Sequence, residues 1–174
     1  WHNTLIDSAR EDGHGRLDFR PGLAGIRGVI SAADVAVCQN EVPIAPKGGP
    51  YRNYPQFSAP EQTPDAVRWA GYDACTTASN HSVDQGYAGL ARTLRALDAR
   101  HLAHTGTART RTEANRPLLV ATKNGVRVAV ITGTYGTNGL PLPTGKPWAV
   151  ANDEQNPADM DAAELAKLVE RCVA

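Results

Sequence analysis

The chain has 174 residues, which is enough for one domain with its own hydrophobic core, and we predict a single domain over residues 1–174. Apolar residues make up 41% of the chain and charged residues 21%, which is typical of globular proteins and excludes the disordered and fibrous classes. Lysine plus arginine and aspartate plus glutamate are equal at 18 each, so no excess of charge favours binding to nucleic acid.

The first half of the chain predicts helices that alternate with short apolar strands. Residues 1–20 are polar and weakly patterned, and we predict a loop there. Pro21 opens a helical pattern of apolar residues spaced by three and four. A short buried strand is predicted over 34–38, followed by an irregular, proline-rich loop over 43–64 and a short helix over 64–70. This order of helices and strands predicts α/β layering.

The second half continues the same alternation. A strand over 73–78 leads through a turn into the clearest helix, whose predicted apolar stripe consists of Tyr87, Leu90, Leu94 and Leu97. We predict a short strand over 101–104 and a polar surface loop over 107–116. The Asn-Gly dipeptide at 124–125, between two apolar runs, predicts a β-hairpin. An irregular stretch and an amphipathic helix over 158–172 complete the pattern.

Three cysteines are present, and none lies in a CxxC motif or a Cys/His cluster, which argues against structural zinc. Cys38 and Cys75 each lie near the C-terminal end of a predicted strand, so they form either a disulfide or two small buried apolar side chains. The chain opens at Trp1 rather than at a Met and has no visible signal peptide, so its N-terminus is processed, trimmed or outside this sequence, and a secreted or lipid-anchored parent is permitted. No apolar run approaches the length of a membrane span, so any membrane association would lie in segments outside this sequence.

Polar residues capable of chemistry follow three of the predicted strands. They are Gln39, Asn40 and Glu41 after the first, Asn80, His81 and Asp84 after the second, and Thr134, Tyr135 and Asn138 after the hairpin. Ligands collect at the carboxyl ends of strands in α/β folds, and a carboxylate, an amide and an imidazole suit part of a divalent-metal site. Plainer interpretations remain open: Asn80 or Asp84 could cap the next helix, and Glu41 could be a solvated loop acid.

The turn after the second of these strands resembles a specific family. Residues 78–86 (ASNHSVDQG) are similar to the A-N-N-H-x-x-D-x-G pattern of the bacterial capsule synthesis protein family, of the CapA or poly-γ-glutamate capsule type, with Ser79 in place of the first Asn. Residues 39–43 resemble its N-L-E-x-P element, with Glu41 at the Glu position. The resemblance extends over about 17–150, with further similarity to F-x-A-P at 57–60, G-F-D at 71–73 and N-G-x-x-V-A at 124–129.

The resemblance implies a calcineurin-like metallophosphoesterase fold, a mixed α/β (α+β) β-sandwich flanked by helices, with two divalent metal ions (Mn, Fe or Zn) at the strand ends. By that resemblance Glu41, Asn80 and His81 bind metal, His81 is the acid at the leaving-group oxygen, and Asp84 assists catalysis by orienting His81. The family's early Asp ligand and its late His-containing strands have no counterpart in residues 1–174. We therefore expect the fold and the site to be incomplete at both ends, and this chain alone to have weak or no activity.

Two functions follow from the resemblance. The first is a metal-dependent hydrolase of capsule biosynthesis, acting on a phosphoester or on a bond of a cell-surface polymer. The second is a non-catalytic protein that keeps the fold and binds or helps to export an anionic polymer such as poly-γ-glutamate. Both imply an extracellular or cell-surface place in a bacterium, with an anionic polymer or phosphoester rather than nucleic acid as the partner. A family fold with an unrelated ligand is the third interpretation, since fold does not determine function.

Overall fold

The structure is a computed structural model that describes residues 3–122 and 124–152. This part holds, in chain order, α1 (Asn3–Asp12), α2 (Arg20–Ala32), β1 (Val37–Gln39), α3 (Thr63–Ala70), β2 (Ala74–Thr76), α4 (Gly86–Asp98), β3 (Ala103–Thr105), α5 (Arg111–Ala114), β4 (Leu118–Ala121), β5 (Arg127–Val130) and a 3-10 turn at Pro147–Ala149. The helix predicted over 158–172 lies outside the described residues. None of the helices in the described part is long and apolar enough to cross a membrane.

A three-stranded parallel sheet in the order β1-β2-β3 forms the centre of the fold. Cys38 lies opposite Cys75, which lies opposite His104, so the strands end together at one edge. Parallel neighbours need crossover connections, and α3 and α4 lie within those from β1 to β2 and from β2 to β3. The predicted mixed α/β class is confirmed: five helices and two small sheets are consistent with an incomplete metallophosphoesterase-like fold.

A disulfide joins the two strands that lead toward the predicted site. Cys38 and Cys75 are directly opposite each other in the parallel register, with their Cα atoms 4.4 Å apart. Of the two interpretations left open by the sequence, the disulfide is therefore the one that the structure shows. It ties the end of β1 to the end of β2, and these ends carry Glu41 and the Asn80–His81 pair.

The second sheet is the predicted hairpin. β4 and β5 pair antiparallel, with Leu118 opposite Val130 and Ala121 opposite Arg127. Gly125 in the connection has a φ of +81°, a conformation that suits glycine. The hairpin predicted from the Asn-Gly dipeptide is confirmed, and it projects the following residues back toward the parallel sheet.

α4 packs against the parallel sheet with the apolar stripe that the sequence predicts. Three residues of this stripe, Leu90, Leu94 and Leu97, are no more than 2% exposed. Burial of each such leucine contributes about 1.5–3 kcal/mol. On another side of α4, Thr93 Oγ1 accepts a hydrogen bond from Ile44 N at 2.8 Å, and Arg92 Nε donates to Ile44 O at 2.7 Å. The helix thereby holds both the sheet and the proline-rich loop.

The loop predicted over residues 1–20 contains a helix, α1, so that prediction is wrong over Asn3–Asp12. Ile6 and Ala9 are buried in one cluster with Phe19 and Ala66, at 6% exposure or less. Their spacing of three places them on one face of a helix. A single buried pair is a weak periodic signal, and the polar neighbours of that pair obscure it in the sequence.

The loop predicted over 107–116 also contains a short helix, α5. Thr110 begins this helix, and its side-chain oxygen accepts a hydrogen bond from Glu113 N at 3.0 Å. Thr107 and Ala108 are buried at 6% and 2% exposure, so the start of the segment is not a surface loop. Pairing of Thr107 with Val150 accounts for this burial.

An ion network joins the end of α4 to β3 and α5. Arg109 is paired with Asp98 and Glu113, and His104 Nε2 lies 3.0 Å from Asp98 Oδ1. Burial alone would raise the pKa of Asp98 and of Glu113. Hydrogen bonds outweigh burial and hold both pKa values below their ordinary range. Asp98 accepts hydrogen bonds from Arg109 and His104, and Glu113 accepts them from Arg109.

We expect this network to make stability depend on acid pH. Carboxyls with lowered folded pKa values stabilise the folded state above their unfolded pKa, and this contribution is lost as pH falls through the lowered values. As the pH falls below about 4.5, the free energy of unfolding of the wild-type protein should therefore decrease by about 1 kcal/mol more than that of an Asp98→Asn, Glu113→Gln variant. Thermal unfolding between pH 6 and 2.5 measures this, and parallel curves for the two proteins would contradict it.

Candidate functional site

β2 is followed by a tight turn, residues 77–85, before α4 begins. Ser82 holds this turn closed, since its Oγ accepts a hydrogen bond from Ser79 N at 2.8 Å and lies 2.9 Å from Thr77 O. All three residues are buried at 5% exposure or less. Buried polar groups that are fully hydrogen-bonded fix a single conformation, so the backbone of the turn is held before any ligand binds.

Ser79 connects the turn to the end of β1. Its Oγ donates a hydrogen bond to Glu41 O at 2.5 Å and accepts one from His81 N at 3.1 Å. This serine stands where the family pattern has an asparagine. The substitution therefore leaves a polar group that still bridges the two strand ends.

His81 and Asp84 pair with each other within the turn. His81 Nδ1 lies 2.8 Å from Asp84 Oδ2, and the side chains are 11% and 1% exposed. Phe57 N also donates to Asp84 Oδ2 at 2.7 Å, and the Phe57 ring meets the His81 ring edge-on with centroids 4.6 Å apart. A carboxylate can only accept, so Nδ1 carries the proton and Nε2 presents a lone pair or a second proton.

The sequence also left open that Asn80 or Asp84 caps the next helix, and this interpretation is wrong. The N-cap of α4 is Gln85, and no side chain there makes a capping hydrogen bond. Gln85 Nε2 instead donates to Phe57 O at 2.9 Å. Both Asp84 and Gln85 therefore bind the backbone of Phe57, and this anchors the proline-rich loop beside His81.

A second loop, residues 133–139 after β5, reaches the same turn. Asn138 Oδ1 accepts a hydrogen bond from Asn80 Nδ2 at 3.1 Å, across 58 positions of sequence. Asn138 Nδ2 lies 3.5 Å from His81 Nδ1, which is too long for an effective hydrogen bond. Nδ1 also donates its proton to Asp84 and so cannot accept one from Asn138. The structure thus brings together the polar side chains that follow β2 and the hairpin.

Gly106 allows these segments to approach each other. It has a φ of +105°, and a Cβ there would lie 2.6 Å from both Ala78 N and Thr132 Cγ2. Any other residue would separate the turn after β2 from the end of the hairpin. Gly106 O also accepts from Ala151 N, and Ala151 O accepts from Thr134 N, both at 2.9 Å, so residues 149–152 hold the second loop against the sheet.

Glu41 lies at the end of β1 with an exposed side chain. Its backbone carbonyl reaches the turn through Ser79, but its carboxylate makes no hydrogen bond or ion pair with any other described residue. The side chain lines an open cleft of about 420 Å³ together with α1 and the start of α2, including Leu5 and Leu23. Metal binding by Glu41 therefore stays a prediction.

The turn offers two donor atoms that suit a divalent cation. His81 Nε2 and Asn80 Oδ1 make no hydrogen bond to the other described residues, and imidazole nitrogen and amide oxygen are both metal ligands. Within residues 3–122 and 124–152, no three His, Cys, Asp or Glu side chains come together as a metal site. The residues present therefore fit one side of a coordination shell rather than a complete one.

Comparison with known proteins decides the family. The sequence profile of bacterial capsule synthesis proteins (PGA_cap) matches residues 1–173. The chain belongs to the bacterial capsule synthesis protein family. The resemblance predicted from the turn around His81 is thereby confirmed, and membership indicates a function related to capsule synthesis and a role at the cell surface.

Two curated relatives come from Sinorhizobium fredii (strain NBRC 101917 / NGR234), the uncharacterized proteins y4uA and y4sH. The chain is 31% identical to y4uA and 30% identical to y4sH, over 140 residues in each. The alignments cover 74% of this chain but only 28% of each relative. The chain thus spans about a quarter of the length of these relatives, and the activity and substrates of the whole protein are matters for proposal.

Of the residues that contact the turn, Phe57 was not named as a candidate from the sequence, and Asn138 was named only as one of the polar residues after the hairpin. Phe57 belongs to the F-x-A-P element, and Asn138 follows the hairpin in a Gly-rich loop. Their contacts with Asp84 and Asn80 depend on how long loops fold back, which no local pattern encodes. The available signal was the length of the two loops, because long loops on a rigid scaffold often carry functional residues.

Proposed function

We propose that this member of the bacterial capsule synthesis protein family is a metal-dependent phosphoesterase-like hydrolase in which His81 is the acid. The observation that supports the proposal is the hydrogen bond of 2.8 Å between His81 Nδ1 and the buried carboxylate of Asp84. It fixes the imidazole at the carboxyl end of a parallel sheet and leaves Nε2 available. A positioned and oriented imidazole of this kind is a common general acid or base.

Each residue of the turn has a defined task in this proposal. His81 Nε2 gives its proton to the leaving-group oxygen, and Asp84 stabilises the imidazolium that exists before the transfer. Asp84 Oδ1 is buried without a hydrogen-bond partner among the described residues, so the carboxylate relies on its Oδ2 contacts. The Phe57 ring packs edge-on against the imidazole, whose side chain is only 11% exposed.

Asn80 is the residue that we expect to hold a metal ion, through Oδ1. The family resemblance implies that Glu41 and His81 are also metal ligands, and that the complete protein holds two divalent ions (Mn, Fe or Zn). His81 Nε2 can ligate or donate a proton but not both at once, and we assign it the proton. When bound, such ions lower the pKa of a coordinated water and stabilise negative charge on a phosphoester.

The experiment uses the longest natural form of the protein that contains these residues. It would be freed of metal, reloaded separately with Mn²⁺, Fe²⁺ or Zn²⁺, and assayed with mono- and diester nitrophenyl phosphates. We expect hydrolysis that a chelator abolishes and added metal restores. Binding of poly-γ-glutamate, measured in parallel, tests the anionic polymer as a partner.

The outcome distinguishes the hydrolase from the non-catalytic alternative. Tight binding of poly-γ-glutamate with neither divalent-ion binding nor phosphoester hydrolysis would overturn the hydrolase proposal. It would instead favour a protein that binds or exports polymer. Hydrolysis that persists unchanged in thorough chelation would also contradict the proposal, because the acid would then act without metal.

A further inference from the structure

The amide of Asn80 is exposed, yet the structure gives it a defined orientation. Its Nδ2 donates to Asn138 Oδ1 at 3.1 Å. The oxygen and nitrogen of an amide lie on opposite sides of the group, so committing Nδ2 to Asn138 turns Asn80 Oδ1 away from it. Only the oxygen of an asparagine amide is a good ligand for a divalent cation.

We propose that Asn138 is a positioning residue, which orients Asn80 so that its Oδ1 is available to a divalent cation. The inference rests on the proposed function, because it assigns a task toward the metal of that site. It adds a residue from a loop 58 positions away, which neither the turn nor the family pattern around His81 contains. Partners that orient a ligand commonly change metal affinity by about 10–100-fold.

The 133–139 loop is built to hold Asn138 in place. Thr137 is fully buried, and its Oγ1 donates to Leu140 O at 2.6 Å while Leu140 N donates back to Thr137 O at 3.0 Å. Asn138 itself has a φ of +54°, a left-handed conformation that asparagine tolerates better than most residues. A polar side chain on a rigid loop can orient a neighbour at little entropic cost.

The left-handed backbone determines which variants are informative. Asn138→Gly removes the amide while suiting the φ of +54°, whereas alanine would add strain. Asn138→Asp keeps an oxygen that can accept from Asn80 Nδ2. Tyr135→Ala is the matched control, because Tyr135 lies in the same loop and its side chain is 80% exposed.

Two readouts test the proposal in the longest natural form of the protein. The first is the NMR signal of the Asn80 side-chain amide without metal, and the second is the affinity for Mn²⁺ measured by titration calorimetry. We expect Asn138→Gly to shift the Asn80 amide signal toward that of a free amide and to weaken Mn²⁺ binding by about tenfold. Asn138→Asp should retain the signal and bind Mn²⁺ at least as well as the wild type, and Tyr135→Ala should change neither.

Failure of this inference can be told apart from failure of the proposed function. If Asn138→Gly leaves the Asn80 amide signal and the Mn²⁺ affinity unchanged, Asn138 does not position Asn80. If the wild-type protein binds no divalent cation, the proposed function and the purpose assigned to Asn138 both fail. The inference would also be overturned if Asn138→Gly and Asn138→Asp both lose Mn²⁺ affinity. The side-chain oxygen that accepts the hydrogen bond from Asn80 would then not explain the loss.

Discussion

Replacement of His81 with glutamine should lower the turnover of a phosphoester substrate by about 10²–10⁴-fold, the usual contribution of a positioned acid or base. Glutamine keeps a polar side chain but cannot carry a proton to the leaving group. The effect should appear in kcat with little change in KM, because the proton is transferred only in the transition state. Steady-state kinetics with a nitrophenyl phosphate ester measures both parameters.

A variant of Asp84 tests the residue that orients His81 separately from His81 itself. In Asp84→Asn a single atom replaces Oδ2, which binds both Phe57 N and His81 Nδ1. An amide oxygen there keeps both hydrogen bonds without the negative charge, whereas an amide nitrogen donates to Nδ1, permits the other tautomer of His81 and loses the bond from Phe57 N. We expect a smaller loss of kcat, together with a change in the ¹⁵N shifts of the imidazole. His101→Asn is the matched control, because His101 is exposed and asparagine suits its φ of +54°. Retention of full activity by His81→Gln would remove His81 from the mechanism.

Removal of the Cys38–Cys75 disulfide should lower the free energy of unfolding by about 2–4 kcal/mol. The bond closes a loop across 37 positions of sequence and so reduces the entropy of the unfolded chain. We choose Cys38→Ala with Cys75→Ala, because Cys75 is fully buried and a serine there would bury a hydroxyl. Urea denaturation of the wild type and of the double variant measures the difference.

Reductant supplies the control for this prediction. It should destabilise the wild-type protein by about as much as the double substitution does, and leave the double variant unchanged. An equal effect of reductant on both proteins would show that another thiol is responsible. No effect on the wild type would contradict a stabilising role for the bond between Cys38 and Cys75.

The fold was predictable wherever a local pattern was strong. The stripe along α4 and the Asn-Gly hairpin follow from spacing and turn chemistry, and both are confirmed. α1 was missed because only Ile6 and Ala9 of its face are buried. Ligand-binding residues were predicted at the carboxyl ends of the strands, and the parallel register of β1 and β2 places the ends that lead to Glu41 and to Asn80 side by side.

The details of the candidate site lay beyond local patterns. Metal binding by Glu41, Asn80 and His81 stays a prediction, since it depends on a ligand shell of which the described residues show only one side. The contact of Asn138 with Asn80 requires a glycine at 106 and a return of the chain at 149–152, which are tertiary events. Periodicity records which face of an element is buried, but not which distant loop will cover it.

The return of the chain at residues 149–152 implies an order of assembly during synthesis. The pairing of His81 with Asp84, and of Asp84 with Phe57, requires only chain that precedes the end of α4. Asn138 is held by bonds that run through Ala151, so it can reach Asn80 only after that residue has left the ribosome and folded back. The contact that orients Asn80 therefore depends on residues synthesised later than those that pair with His81.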